Sequence, residues 1–168
     1  FKTLEVVNSE MAAFTGKVTT SDSVVLTDTS AHNAIAFNGG LSTGTLSVAA
    51  MPFNLVLKGE VSVTNATTFA NTGSLQLGGV ESDNLYFAGG LVATAPSAIT
   101  MAGVVHTNHA DITLGQTGST IDLVEMTDLD SGTGGLHVVS PVAAHAYRLR
   151  LLSAGPIAWD GDLTSTAA

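Results

Sequence analysis

The chain has 168 residues, no cysteine and a formal charge of -9, with 5 Lys and Arg against 14 Asp and Glu. That sign repels phosphate backbones and anionic lipid surfaces, which disfavours nucleic acid as a partner. The missing thiols exclude a disulfide scaffold, a thiol nucleophile and a Cys-ligated zinc or iron–sulfur centre.

Apolar residues make up 45% of the chain but aromatics only 5%, so the core must be built from Val, Leu, Ile and Ala. Charged residues reach only 11%, and 18 glycines with many Thr and Ser take their place. Thr and Val suit a pleated surface, and Gly, Asn, Asp and Ser suit turns. The expectation is an all-β protein in one domain spanning 1–168, since domains most often run to roughly 100–200 residues.

In chain order, Phe1-Lys2-Thr3-Leu4-Glu5 carries neither an initiator Met nor a signal peptide, so either a leader has been removed or the chain is cut from something longer, and both favour a processed, exported product. Val6 to Ala13 would suit a short terminal helix. A pattern then recurs: a large apolar residue, any residue, Gly, any residue, Val or Leu. It runs Phe14-Thr15-Gly16-Lys17-Val18, Phe37-Asn38-Gly39-Gly40-Leu41 and Leu57-Lys58-Gly59-Glu60-Val61. It returns as Phe87-Ala88-Gly89-Gly90-Leu91, Met101-Ala102-Gly103-Val104-Val105 and Trp159-Asp160-Gly161-Asp162-Leu163. Most copies have another apolar residue two positions earlier, as in Ile35-Ala36-Phe37, which is the period of a strand with one buried face. The glycine falls where such a strand would bend.

Degenerate copies fill the intervals, among them Ser74-Leu75-Gln76-Leu77-Gly78, Asp111-Ile112-Thr113-Leu114-Gly115 and Gly135-Leu136-His137-Val138. Tyr147-Arg148-Leu149-Arg150-Leu151 alternates as a strand, although Val142 to Leu152 is also Ala-rich enough for a helix. The expected fold is a parallel β-solenoid of imperfect coils, about 20–25 residues each. An antiparallel sandwich or jelly roll is the alternative. Residues 1–13 and 159–168 lack a dedicated charged cap and are expected to serve as terminal assembly segments.

Several groups invite a chemical reading. Asp128 and Asp130 stand two apart before Gly132-Thr133-Gly134-Gly135, an oxygen-rich turn that would suit calcium. It lacks the downstream bidentate Glu of an EF-hand, and a solvated turn explains it equally. His106, His109 and Asp111 have ligand chemistry for zinc, but a strand would point His106 away from the other two. Arg148 and Arg150 would project from one face, towards an acidic neighbour or an interface. Asn65-Ala66-Thr67 is a glycosylation sequon with no assigned role. No catalytic residue, cofactor or resident metal is expected, and no apolar run approaches the ~18 residues of a spanning helix.

The apolar-x-Gly-x-Val/Leu strands, with Ala110-Asp111-Ile112-Thr113-Leu114-Gly115, resemble the strand repeats of large bacterial exported proteins. The nearest groups are filamentous-haemagglutinin-like adhesins and autotransporter passenger domains, over residues 14 to 140. The resemblance implies a right-handed parallel β-helix, an extracellular or cell-surface location and an adhesive or filament-forming role. The expected function is that of a non-enzymatic surface fibre, sheath or adhesin segment that self-associates. A glycan- or surface-binding module is the alternative, and a carbohydrate-active β-helix the third.

Overall fold

A computed structural model describes residues 1–27 and 33–165. The chain is an all-β parallel β-solenoid of about 7 turns, with coils of about 22 residues. No described residue lies in a helix.

Each coil contributes one short strand to each of three sheets. The first sheet stacks Ala12–Phe14, Ala34–Phe37, Asn54–Leu57 and Ser74–Leu77. It continues through the opening parts of the long strands Ala98–His106 and Thr120–Gly132, then Val142–Ala143 and Leu163–Thr164. The second sheet stacks Val18–Thr19, Leu41–Thr43, Glu60–Val63 and Asn84–Phe87. It then takes the closing parts of the two long strands and ends on Leu149–Ser153.

The third sheet is made in two pieces. Thr3–Val6, Ser23–Leu26 and Thr45–Val48 form one, and Thr67–Thr68, Leu91–Ala93, Ile112–Leu114, Leu136–Val138 and Ile157–Trp159 the other. They meet where the Asn65 N–H donates to the Gly44 carbonyl at 2.9 Å. All registered strand pairs are parallel, so the sandwich alternative is set aside.

One local expectation changes. Residues 6 to 13 hold no helix: Thr3–Val6 and Ala12–Phe14 are strands joined by a loop, because each pairs with the next coil and buries one face. Within 142–152 the strand reading holds over the helical one: the segment gives Val142–Ala143, a turn, and Leu149–Ser153, continuing the solenoid through the last described coil.

The core is a set of columns running along the solenoid. Phe14, Phe37, Leu57, Leu77, Met101 and Leu123 are consecutive register partners, 20 to 24 residues apart. Phe14 lies flat on Phe37 with ring centres 4.8 Å apart. Leu55, Leu75, Leu85, Ile99 and Ile112 are completely buried, as are the rings of Phe37, Phe53 and Phe87. Buried polar groups are bonded coil to coil: Thr20 Oγ1 donates to Thr43 Oγ1 at 2.7 Å, and the hydroxyls of Ser119 and Ser140 lie 2.6 Å apart.

The recurring glycines do not share one bend. Gly16, Gly39, Gly59 and Gly103 turn the chain from the first sheet to the second, Gly89 from the second to the third, and Gly161 from the third to the first. Their irregular sequence spacing arises because the same apolar-x-Gly pattern serves three corners of a regular coil.

Candidate functional site

The outward residues of the second sheet form two rows along the axis. One runs Glu60, Asn84, Val104, Asp128, Arg150, and the other Ser42, Ser62, Tyr86, His106, Asp130, Leu152. They bring Glu60, Asp128, Asp130, Arg150, Tyr86 and His106 onto one face.

Asp128 and Asp130 flank the buried Leu129 and point outward, as strand alternation requires. Asp128 is nine-tenths buried at its side chain and is paired with Arg150, while Arg148 Nη2 lies 3.5 Å from its other oxygen. The arginines belong to the next coil, so two guanidinium groups clip the last coils together through one carboxylate. Asp130 Oδ1 accepts the Gly132 N–H at 2.9 Å. The acidic pair is thus engaged by protein donors, and its two carboxylates do not converge on one point by any shared partner.

Tyr86 and His106 stack with ring centres 4.6 Å apart, and Asp130 follows in the same row. Burial holds the His106 imidazole below its ordinary pKa, and the Asp130 charge only partly offsets that. On the same sheet Lys17 Nζ reaches Glu60 Oε2 at 2.6 Å, two coils away. The intervening row position is Gly40, which has no side chain to block the path. Lys17 lowers the Glu60 pKa by hydrogen bonding and by its charge.

The group of His106, His109 and Asp111 is dispersed. His106 stacks on Tyr86, whereas His109 sits at the corner with φ of 61° and accepts the Thr133 N–H at its Nδ1. Asp111 accepts the Gly135 N–H at 2.7 Å. Each is spent on joining one coil to the next. Among the described residues no group of three His, Cys, Asp or Glu is placed to hold a metal ion.

Two open troughs of about 370 and 430 Å³ run along the third sheet and share Asp111 as their divide. Thr68 and Val92 line one; Thr113, His137 and Ala158 line the other. His137 Nε2 lies 2.8 Å from Asp160 Oδ2, and His145 Nε2 lies 3.4 Å from Asp122 Oδ1. Asn65 donates to the Thr45 hydroxyl at 2.9 Å, so the sequon amide already serves as a coil-to-coil contact. The Gly132 to Gly135 segment is a corner in which the Gly134 N–H donates to the Ser131 carbonyl, with no lysine to reach a phosphate.

No protein-family model, curated protein or solved structure matches the chain. What stands of the expected resemblance is a β-solenoid fold, with no family or homologue identified.

Both end faces leave apolar side chains uncovered. At the first coil Phe1 and Met11 are each 71% exposed, and Leu4, Ala12 and Phe14 are only partly covered. At the last, Ile157 is 48% and Leu163 58% exposed, with Leu149, Leu151 and Trp159 partly covered. Trp159 Nε1 is buried without an acceptor among the described residues. Residues 166–168 of the expected terminal segment lie outside the described residues.

Proposed function

We propose that this chain is a structural, non-catalytic segment of an extracellular surface fibre, sheath or adhesin, and that it associates with further copies through its end coils. The observation that carries the reading is the contrast between the middle coils and the ends. The inward residues of the middle coils are covered above and below, while Phe1, Met11, Ile157 and Leu163 in the first and last described coils are exposed. Open strand edges and uncovered core recruit another chain. The two ends are unlike, and contacts between unlike ends repeat into filaments unless they close into a ring. The extracellular placement rests on the cysteine-free composition rich in Thr, Ser, Gly and Asn.

Light scattering and electron microscopy over a concentration series test the reading. Assemblies should lengthen with concentration. Removing residues 1–13 or 159–168 should shorten or abolish them while leaving the β-rich circular dichroism largely intact. A full-length chain that stays monomeric at high concentration would overturn the proposal.

A second reading has one observation in its favour. The troughs beside Asp111 present Thr, His and carboxylate groups in an open channel along several coils, a surface to which a glycan could hydrogen-bond. Glycan-array binding by a stable monomer would favour that reading over the first. A catalytic β-helix would require turnover of a polysaccharide that disappears with one named carboxylate.

A further inference from the structure

We infer that Asn38 is a site of spontaneous deamidation, closed while the first two described coils are stacked and opened when they part. The inference is independent of assembly, and water is the only co-reactant it needs.

Two adjacent residues carry the chemistry. Asn38 is the only asparagine of the chain that precedes a glycine. Its side chain is exposed, and its amide bonds to no other described residue. By contrast, Asn33 donates to the Ser9 carbonyl, Asn65 to the Thr45 hydroxyl and Asn71 to the Phe53 carbonyl. Glycine has no Cβ, so it offers the least steric hindrance to ring closure on the preceding side chain. In that reaction the Gly39 nitrogen gives its proton to a solvent base and attacks the Asn38 Cγ. The bond from Cγ to the amide nitrogen breaks, ammonia leaves, and a five-membered succinimide remains. Water then opens the ring at one carbonyl to aspartate, or at the other to isoaspartate.

The stacked coils close this route. The Asn38 and Gly39 N–H groups both donate to the Phe14 carbonyl, at 2.8 and 3.3 Å, so the proton of the attacking nitrogen is engaged. Phe14 lies flat on Phe37 immediately before the corner and holds the two coils together. A Cβ on Gly39 would fall well inside van der Waals contact with the Thr15 carbonyl and with Gly16. The corner therefore has no room to swing into the ring-closing geometry. Attack requires release of the contacts with Phe14 and Thr15, a local opening like the one that precedes exchange of a hydrogen-bonded amide.

The two products differ in consequence. Aspartate keeps the backbone length and puts a carboxylate at the position that Lys58 occupies in the next coil, where the Lys58 N–H donates to the Phe37 carbonyl. Isoaspartate adds a methylene to the main chain where Gly39 already touches Thr15 and Gly16. A chain that takes this branch does not restack its first coil.

The full-length chain is held at mildly alkaline pH, with and without urea above its unfolding midpoint, and then digested with trypsin. Cleavage after Lys17 and Lys58 gives residues 18–58, in which Asn33 and Asn54 are internal controls. Aspartate and isoaspartate at 38 should form at least about tenfold faster in urea than in the folded chain. In native buffer Phe14→Ala should speed conversion several-fold. Leu123→Ala, in the same column but four coils from Phe37, should leave the rate close to wild type. Asn38→Gln should abolish the product, and circular dichroism confirms that each variant is folded. After refolding, aspartate chains should regain hydrogen-exchange protection at Ala12–Phe14, and isoaspartate chains should not. Equal rates with and without urea, or equal acceleration by Phe14→Ala and Leu123→Ala, would overturn control by the first two coils. Isoaspartate chains that regain full protection would overturn the steric exclusion. No conversion at Asn38 even in urea would overturn the site itself.

Discussion

Arg150 reaches back one coil to the carboxylate of Asp128, and Arg148 approaches the other oxygen of the same group. A carboxylate held this way has little to offer a calcium ion, which would have to displace two guanidinium groups. A chelator should therefore leave the melting temperature unchanged. A shift of several degrees, removed by combining Asp128→Asn with Asp130→Asn, would show that the turn binds calcium after all. Asp128→Asn alone should cost about 1 kcal/mol in chemical denaturation, since both arginines remain half in water.

Two glycines of the recurring pattern should behave oppositely. A Cβ on Gly39 would meet the backbone carbonyl of Thr15 well inside van der Waals contact, so Gly39→Val should cost more than ~1 kcal/mol. A methyl group added at Gly16 would have nothing within 4 Å. Gly16→Ala should be neutral or stabilising by up to ~1 kcal/mol. Equal losses at the two sites, read from urea midpoints, would contradict the close approach as the reason for Gly39.

How much of the fold and the site is legible in the sequence follows from sequence distance. The two-residue alternation of Ile35-Ala36-Phe37 and Leu55-Val56-Leu57 is a local signal, and it leads to strands with one buried face, as found. The coil length is blurred, because Phe87-Ala88-Gly89 and Trp159-Asp160-Gly161 repeat the pattern of Phe37-Asn38-Gly39 at other corners. The arginine pair is readable as seeking an acid. Asp128 is not readable as that acid, since a partner 20 to 22 residues away becomes a neighbour only once the coil length is known. The Tyr86–His106 stack and the Lys17–Glu60 pair stay hidden for the same reason, the latter spanning two coils over Gly40.

Acid should weaken the fold through His106. Burial lowers its folded-state pKa below the ordinary imidazole value, so the unfolded chain binds the proton more readily. This site therefore makes stability fall as pH drops from about 7 through the unfolded imidazole range, with the loss levelling off once the pH lies below the folded-state value. Asp130 in the next coil opposes the effect, and the Tyr86 ring stacks on the imidazole from the other side. Melting temperatures at pH 7.5 and 5 should differ less in His106→Gln than in the wild type. An equal difference in both would remove His106 as the cause.

The stacked architecture also predicts where the chain opens first. Apart from the Lys17–Glu60 pair, which spans two coils, each coil packs on its immediate neighbours, so an end coil has one stabilising interface where a middle coil has two. Leu57 and Leu85 are completely buried between coils, whereas Leu163 is 58% exposed and Leu4 only partly covered. Leu57→Ala should cost about 2–5 kcal/mol, the range for a buried Leu truncation. Leu163→Ala should cost well under half as much in the monomer. Hydrogen exchange at concentrations below the onset of assembly should follow the same gradient. Amides of Asn54–Leu57, Glu60–Val63 and Asn84–Phe87 should be protected at least about tenfold more than those of Thr3–Val6, Ala12–Phe14 and Ile157–Trp159. If copies associate through their end coils as proposed, raising the concentration should protect those coils selectively. Uniform protection from first coil to last would mean that the solenoid unfolds as one cooperative unit, with no frayed ends for a second copy to cover.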